Sequence, residues 1–237
     1  MMKKNNWFEV DKKGLQQVQS EKDKFFIVKE LVSNSFDEEI NECNLTISKD
    51  WIACTDNSKN GFLDLKDSYT LFAPSYKKNI VNKRGRFNAG EKFALAMFSH
   101  AKIKSTTGTI IFKKDGTRTK SSTKTDEGTE FCGNLKLKQS EVFSLASKAK
   151  TIIPPQGVKF VVNQEEVLRP NVYKSFTENL PTVISDEDGN LVRSSRNTKI
   201  DLFVTDKHFI YEMGIPVVET DIGFSIDVNQ KIPLNKD

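Results

Sequence analysis

The stretch that decides the fold runs from residue 29 to residue 40 and reads KELVSNSFDEEI. It belongs to an apolar-periodic segment, 25–40, that predicts a long helix. At about 100° per residue, Glu30, Asn34 and Asp37 fall on one narrow stripe of that helix. The stripe is either a solvated helix face or a site. In a site, the carboxylate polarises a water molecule and the carboxamide one turn away offers a neutral oxygen to Mg²⁺.

A second stretch, residues 53–62, ends a predicted strand in an acid and returns through glycine. A buried Asp56 at the end of a strand can accept a hydrogen bond from an exocyclic amine, such as N6 of adenine. A plain Asp-Asn turn is the alternative. Further along, Gly128 and Thr129 stand at the entry of another predicted strand, and there too a simple turn explains the residues.

A third stretch places two glycines, Gly85 and Gly90, around a loop that opens a second predicted helix, 91–98. Backbone N–H groups in such a loop suit phosphates, and a flexible basic loop is the alternative. The loop is not a Walker A motif. Glu91 occupies the position that requires Lys, and no Ser or Thr follows it.

In this order the stretches resemble the GHKL ATPases, a family that includes MutL, gyrase B, MORC proteins, the large heat-shock chaperones and histidine-kinase catalytic domains. Residues 30–37 look like the N-box, 56–62 like the adenine motif, 85–90 like the glycine motif after the ATP lid, and 128–129 like the late Gly-Thr motif. The adenine motif departs from the pattern, because it lacks the first glycine and carries an insertion.

The resemblance covers roughly residues 20 to 165 and is nearer to MutL, MORC and chaperone ATPases than to histidine kinases. Neither His100 nor His208 lies on a helix suited to a phosphoacceptor. By analogy with the gyrase and MutL group, Lys231 is a candidate for a lysine that reaches the γ-phosphate, with a surface strand lysine as the alternative.

The resemblance implies a role for each matching residue. Glu30 would be the general base, Asn34 the Mg²⁺ ligand, and Asp56 the partner of the adenine amine, a contact that Thr129 would support through water. The other nucleotide-binding positions that it implies are Asp37, Gly61, Ser75, Lys77, Gly85, Arg86, Phe87, Asn88, Ala89 and Gly90. Ser75 and Lys77 belong to the expected lid.

The predicted fold class is α/β, a two-layer sandwich of the Bergerat type with helices on one face of a mixed sheet. Residues 1–168 are expected to form the ATP-binding domain. Residues 169–237 are expected to form a β-rich C-terminal extension or the start of a following domain. ATP would lie between the helix layer and a mobile lid.

Composition sets the remaining limits. A hydrophobic fraction of 37% argues against a disordered chain. The three cysteines lie far apart and form no C-x-x-C pair, so neither a zinc site nor a disulfide framework is predicted. No apolar run approaches the roughly 20 residues of a membrane span, so a cytoplasmic protein is predicted. The net charge of +4 permits phosphate contacts but does not by itself indicate nucleic-acid binding.

The expected function is therefore to bind Mg-ATP, with ATP and Mg²⁺ as cofactors, and to hydrolyse it slowly. Lid closure or an ATP-dependent homodimer would switch a larger complex whose DNA or protein client the sequence leaves open. Two alternatives remain: an ATP-regulated binding module without useful turnover, and a nucleic-acid-binding module. The latter would use a basic tip formed by Lys113, Lys114, Arg118, Lys120 and Lys124.

Overall fold

The computed structural model describes residues 10–72, 83–84, 89–185 and 191–233. The helices of this part are α1 (Lys12–Ser20), α2 (Phe25–Phe36), a short 3₁₀ helix (Leu65–Ser68), α3 (Gly90–Ala96) and α4 (Gln139–Ala149). The strands of a first sheet are β1 (Glu42–Ile47), β2 (Trp51–Asp56), β3 (His100–Ser105), β4 (Gly108–Phe112), β5 (Arg118–Ser121), β6 (Thr129–Asn134), β7 (Lys159–Val162) and β8 (Glu165–Val167). Those of a second sheet are β9 (Val172–Ser185), β10 (Leu191–Phe203), β11 (Phe209–Glu212), β12 (Ile215–Glu219) and β13 (Ser225–Val228).

The first sheet is mixed, with the strand order β5-β4-β3-β6-β2-β1-β7-β8. Its neighbours pair antiparallel except β1 and β7, which run parallel. The strand β1 buries every second residue, Cys43, Leu45 and Ile47, as expected of a strand with one face on a core. This alternation fixes which face of the sheet receives the helices.

The helices α2 and α4 cover that face. The apolar side of α2 contributes Ile27, Val28 and Val32, all fully buried, and the helix packs on β1 and β2. The helix α4 adds Leu145 and Ala149 to the same core. The predicted α/β sandwich with helices on one face of a mixed sheet is thus confirmed. No helix in the described ranges has the length and apolarity to cross a membrane.

The end of α2 differs from the prediction. The helix was expected to continue to residue 40, but it ends at Phe36, and Asp37 forms its C-cap with an N–H that donates to the Ser33 carbonyl at 3.0 Å. The side-chain oxygen of Asn57 then accepts hydrogen bonds from the N–H groups of Asn41 and Glu42 at 3.1 and 3.0 Å. A long-range contact therefore turns the chain into β1 where helical periodicity alone predicted more helix.

The second sheet has the order β12-β11-β13-β10-β9, and all its strands follow residue 171. The boundary at 168 and 169 stays a prediction. Lys231 is buried, not a surface lysine, and its carbonyl accepts a hydrogen bond from Thr182 at 2.8 Å.

The turn between β11 and β12 contacts Ile153, which lies between α4 and β7 and thus connects the turn to the part of the chain that carries the first sheet. Met213 and Gly214 both have positive φ, at 50° and 84°. The Ile153 N–H donates to the Gly214 carbonyl at 2.9 Å, and the Gly214 N–H donates to Asp227 at 2.8 Å. A Cβ on Gly214 would overlap the Ile153 carbonyl oxygen. This close backbone approach requires glycine.

Replacing Gly214 with alanine should therefore destabilise the protein for two reasons, backbone strain and overlap with Ile153. We expect Gly214→Ala to lower the free energy of unfolding by about 2–4 kcal/mol. Gly223 is the matched control, because its φ of 81° is similar and nothing lies near its Cβ position. Gly223→Ala should cost only about 1 kcal/mol of backbone strain. Equal losses in urea titrations of the two variants would contradict the docking of the turn on Ile153.

Candidate functional site

A cleft of roughly 670 Å³ lies beside α2, at the ends of β2 and β6. Its volume falls within the range of about 300–1,000 Å³ that is typical of small-molecule sites. Side chains from α2, α3, β2, β3 and β6 line it, and β12 of the second sheet completes one wall. The cleft is therefore built from both sheets.

One end of the cleft is apolar. Leu31 of α2 lies there with Ile103 of β3 and Phe131 of β6, which are paired in register. Each of these side chains is largely buried, and Phe62 contributes a further apolar surface. A flat apolar group of the size of a purine fits such a lining.

Asp56 forms the polar group at this apolar end. Its Oδ1 accepts hydrogen bonds from the Ser58 N–H at 3.1 Å, the Ser58 hydroxyl at 2.7 Å and the Thr129 N–H at 3.3 Å. Its Oδ2 accepts one hydrogen bond, from the Ser35 hydroxyl at 3.1 Å. A carboxylate has about four lone-pair sites, so Oδ2 can accept one further donor from a ligand in the cleft. The carboxylate is thus fixed in position and retains acceptor capacity.

Glu30 also lines the cleft, and its carboxylate lies against the start of α3. Its carboxylate lies so close to Gly90 that a Cβ there would overlap it. Burial of the side chain raises the pKa of Glu30; nearby Lys29 opposes that shift, and Asp37 adds to it. A carboxylate whose pKa is raised toward neutrality is suited to accept a proton. Asn34 lies one turn further along α2 and lines the same cleft.

Asp37 does not face the cleft as a free carboxylate. Both its oxygens accept hydrogen bonds from the Arg84 N–H, at 3.1 and 3.0 Å, and its Oδ1 also accepts one from the Arg84 guanidinium at 2.8 Å. Arg84 donates a further hydrogen bond to the Met213 carbonyl, in the turn between β11 and β12, and its guanidinium lies over the Phe36 ring. Arg84 therefore connects the end of α2 to the second sheet.

Lys29, which is partly buried, and Lys92, which is buried, lie near Glu30. Burial lowers the pKa of Lys29, whose Nζ donates to the Pro216 carbonyl of β12 at 3.5 Å. Burial also lowers the pKa of Lys92, which forms an ion pair with Glu91 at 3.5 Å. Lys92 is buried and does not line the cleft. Its positive charge therefore offsets the negative charge of Glu91 from the side away from the cleft.

The structure brings together the predicted site residues that it describes. Those that line the cleft are Glu30, Asn34, Asp37, Asp56, Gly61, Ala89, Gly90 and Thr129. The remaining predicted positions, Ser75, Lys77, Gly85, Arg86, Phe87 and Asn88, lie outside the described residues. Thr129 contacts Asp56 through its backbone N–H. The water-mediated contact expected of its side chain stays a prediction, as does each residue's role.

Several residues of the site escaped the sequence analysis. Ser58 lies in the insertion of the adenine motif, and the Asp-x-Ser spacing, which favours a side-chain turn, was an available signal. Ser35 lies inside the range that resembles the N-box but was given no role, and its hydroxyl reaches Asp56. Nothing local marks Arg84 or Pro216, because their partners lie far away in the sequence.

The basic tip that suggested nucleic-acid binding surrounds an aromatic ring. Arg118 and Lys120 of β5 lie over the ring of Tyr69, at 3.8 and 5.4 Å from its centre. Two of the five residues of the basic tip are thus engaged with an aromatic ring of the protein itself. The described groups of His, Cys, Asp and Glu include no set of three placed to hold a metal ion.

Solved structures with this fold are found by comparison of coordinates. The ATPase region of topoisomerase II from Saccharomyces cerevisiae superimposes with a TM-score of 0.57 and 10% identity, over 88% of this chain and 73% of that chain. The N-terminal domain of a DNA repair protein gives 0.51 and 16%, over 86% and 82%. The ATPase and transducer domains of DNA topoisomerase II from Balamuthia mandrillaris give 0.51 and 11%, over 79% and 58%.

No protein-family profile and no curated protein sequence matches the chain. The likeness is therefore one of fold: the chain has the GHKL, or Bergerat, fold of the type II topoisomerase ATPase regions. The resemblance drawn from the sequence is confirmed at that level.

The raised pKa of Glu30 makes a prediction about stability. The folded state binds this proton more tightly than the unfolded state, so the free energy of unfolding falls as pH rises through the window between the two pKa values and stays lower above it. Glu30→Gln removes the ionisable group. We expect the variant to be about 1 kcal/mol more stable than the wild type at pH 8. This gain should shrink as the pH approaches about 4.3, the ordinary pKa of Glu.

Glu39→Gln is the matched control, because Glu39 is exposed three residues beyond the end of α2. Its effect in urea titrations should be small at every pH. A Glu30→Gln variant that is no more stable than the wild type at pH 8, or whose gain in stability does not depend on pH, would show that the pKa of Glu30 is not raised.

Proposed function

We propose that this chain is an ATP-binding domain that holds Mg-ATP in the cleft and hydrolyses it slowly. One observation carries the proposal. A carboxylate, Asp56, is fixed at an apolar end of the cleft, and a second carboxylate with a raised pKa, Glu30, lines the same cleft beside Gly90. The fold shared with topoisomerase ATPase regions supports it.

The apolar end would bind adenine. The exocyclic amine would donate to Asp56 Oδ2, while the ring would pack among Leu31, Ile103 and Phe131. A buried acceptor that is already fixed discriminates for an amine at that position, because a base with a carbonyl there would place two acceptors against each other.

The part of the cleft beside Glu30 would bind the phosphates. Lys22 and Lys29 line the cleft there and would offset negative charge, and the backbone of Ala89 and Gly90 closes the end near Glu30. Asn34 would hold the metal through its side-chain oxygen, a neutral oxygen ligand of the kind that Mg²⁺ accepts. When bound, Mg²⁺ would neutralise charge that develops on the phosphates.

Hydrolysis would use Glu30 as the general base. Glu30 would accept a proton from a water molecule whose oxygen attacks the γ-phosphorus, and the bond from that phosphorus to the β-γ bridging oxygen would break. The products are ADP and inorganic phosphate. A pKa raised by burial brings the base nearer to the working pH, which makes proton transfer more efficient.

ATP binding would act as a switch for a larger assembly, through closure of the lid, ATP-dependent homodimerisation, or both. Support comes from Lys29, which contacts Pro216 of β12, so a ligand beside Glu30 also touches the second sheet.

The first test is calorimetric titration of a non-hydrolysable ATP analogue with Mg²⁺. Asp56→Asn keeps the size of the side chain but removes its charge and turns one acceptor into a donor. We expect the Kd to rise roughly 10- to 150-fold, the loss of one charge-assisted hydrogen bond. Asp126→Asn, an exposed acid outside the cleft, is the control and should leave the Kd unchanged. A wild type that does not bind the analogue would refute the proposal.

The second test separates turnover from binding. Glu30→Gln should bind the analogue within about threefold of the wild type and release phosphate roughly 10²- to 10⁴-fold more slowly, because the water loses its base. Glu39→Gln should release phosphate at the wild-type rate. If the wild type binds ATP but its phosphate release is not reduced by Glu30→Gln, the chain is an ATP-regulated binding module.

A further inference from the structure

The strand β9 is an open edge of the second sheet. In the sheet order it pairs only with β10, so its other side carries no strand within the described residues. The strand is long, 14 residues from Val172 to Ser185. Edge strands of this length present a row of unpaired N–H and C=O groups that can pair with another chain.

The exposure of β9 is unusual for a strand with a core-facing side. Every residue from Val172 to Asn179 is exposed, on both faces of the strand, although a half-buried strand alternates. Three large apolar residues are among them: Val172 is 42% exposed, Tyr173 65% and Phe176 36%. Apolar side chains on an open edge are available for contact with a partner.

The charges on β9 are arranged symmetrically. Lys174 and Glu178 lie two residues on either side of Phe176, and neither forms an ion pair with a described residue. When two copies of β9 run antiparallel with Phe176 opposite Phe176, each Lys174 stands opposite Glu178 of the other copy. Directly opposite residues of an antiparallel pair interact through their side chains, and opposite charges there are favourable. Each interface would thus hold two charge pairs and one aromatic pair.

Other registers lack this match. A slip that shifts the pairing by two positions places Lys174 opposite Phe176 or Leu180 and leaves both charges unpaired. A slip by four positions places Lys174 opposite Lys174, or Glu178 opposite Glu178, which is repulsive. The pattern therefore selects one register.

We propose that β9 is a self-association surface: two copies of this chain pair through antiparallel β9 strands centred on Phe176, forming a dimer with a continuous ten-stranded sheet. A twofold dimer uses the same patch on both copies and must be self-complementary, which the Lys174 and Glu178 arrangement satisfies. Pro181 marks one limit of the pairing, because it has no N–H to donate. The interface does not involve the cleft and does not depend on bound nucleotide.

Charge reversal tests the register directly, by sedimentation equilibrium of the nucleotide-free protein. The wild type should approach twice the 26.9 kDa of one chain as concentration rises. Lys174→Glu and Glu178→Lys should each weaken association roughly tenfold or more, because each places two like charges opposite each other in every dimer. The double variant Lys174→Glu/Glu178→Lys should restore it. Lys114→Glu, an equal charge change on an exposed turn, is the control and should associate like the wild type.

Mixing the two single variants gives an independent check. Lys174→Glu then carries two acids on β9 and Glu178→Lys two bases, so the two variants should form a heterodimer although each forms a homodimer only weakly. Circular dichroism of each single variant shows whether it is folded, so that misfolding is not mistaken for dissociation. A wild type that stays monomeric, single variants that associate normally, or a double variant that does not recover would each overturn the proposal. Dimerisation that appears only with ATP and is insensitive to both reversals would place the interface elsewhere.

Discussion

The ion pair between Asp37 and Arg84 is the contact on which the cleft depends. The two side chains are only 2% and 11% exposed, and Arg84 also donates to the Met213 carbonyl. Removing one partner of a buried ion pair leaves an unpaired charge and typically costs several kcal/mol. This ion pair and the bond to Met213 hold the end of α2 against the turn between β11 and β12. The placement of Glu30 and Asn34 relative to the second sheet therefore follows from these contacts.

Burial disfavours two of the charges that line the cleft. Burial raises the pKa of Glu30 and lowers the pKa of Lys29, so for both groups the surroundings disfavour the charged form. Active sites commonly accept such a loss of stability, because a group that is easily protonated or deprotonated is useful in catalysis. The fixed carboxylate of Asp56, with its three donors on one oxygen, is the opposite case: its position is secured before any ligand arrives.

The sequence predicts those parts of the site that local spacing determines. Glu30 and Asn34 lie one helical turn apart, and Asp56 ends a strand, so periodicity alone places them correctly. Sequence patterns do not predict contacts between residues that lie far apart in the chain. Asp37 and Arg84 are 47 positions apart, and β12 reaches the cleft from the far end of the chain. The early end of α2 at Phe36 has the same origin, since tertiary contacts overrode an apolar period that continues to residue 40.

The two edge strands of the second sheet lie in different surroundings. At one edge, β12 contributes Ile215 and Pro216 to the cleft, and the turn before it is docked on Ile153. At the other edge, β9 is open and exposed. Three strands separate them, so a partner on β9 would leave the cleft accessible. The second sheet can therefore hold a ligand at β12 and a second copy of the chain at β9 in the same molecule.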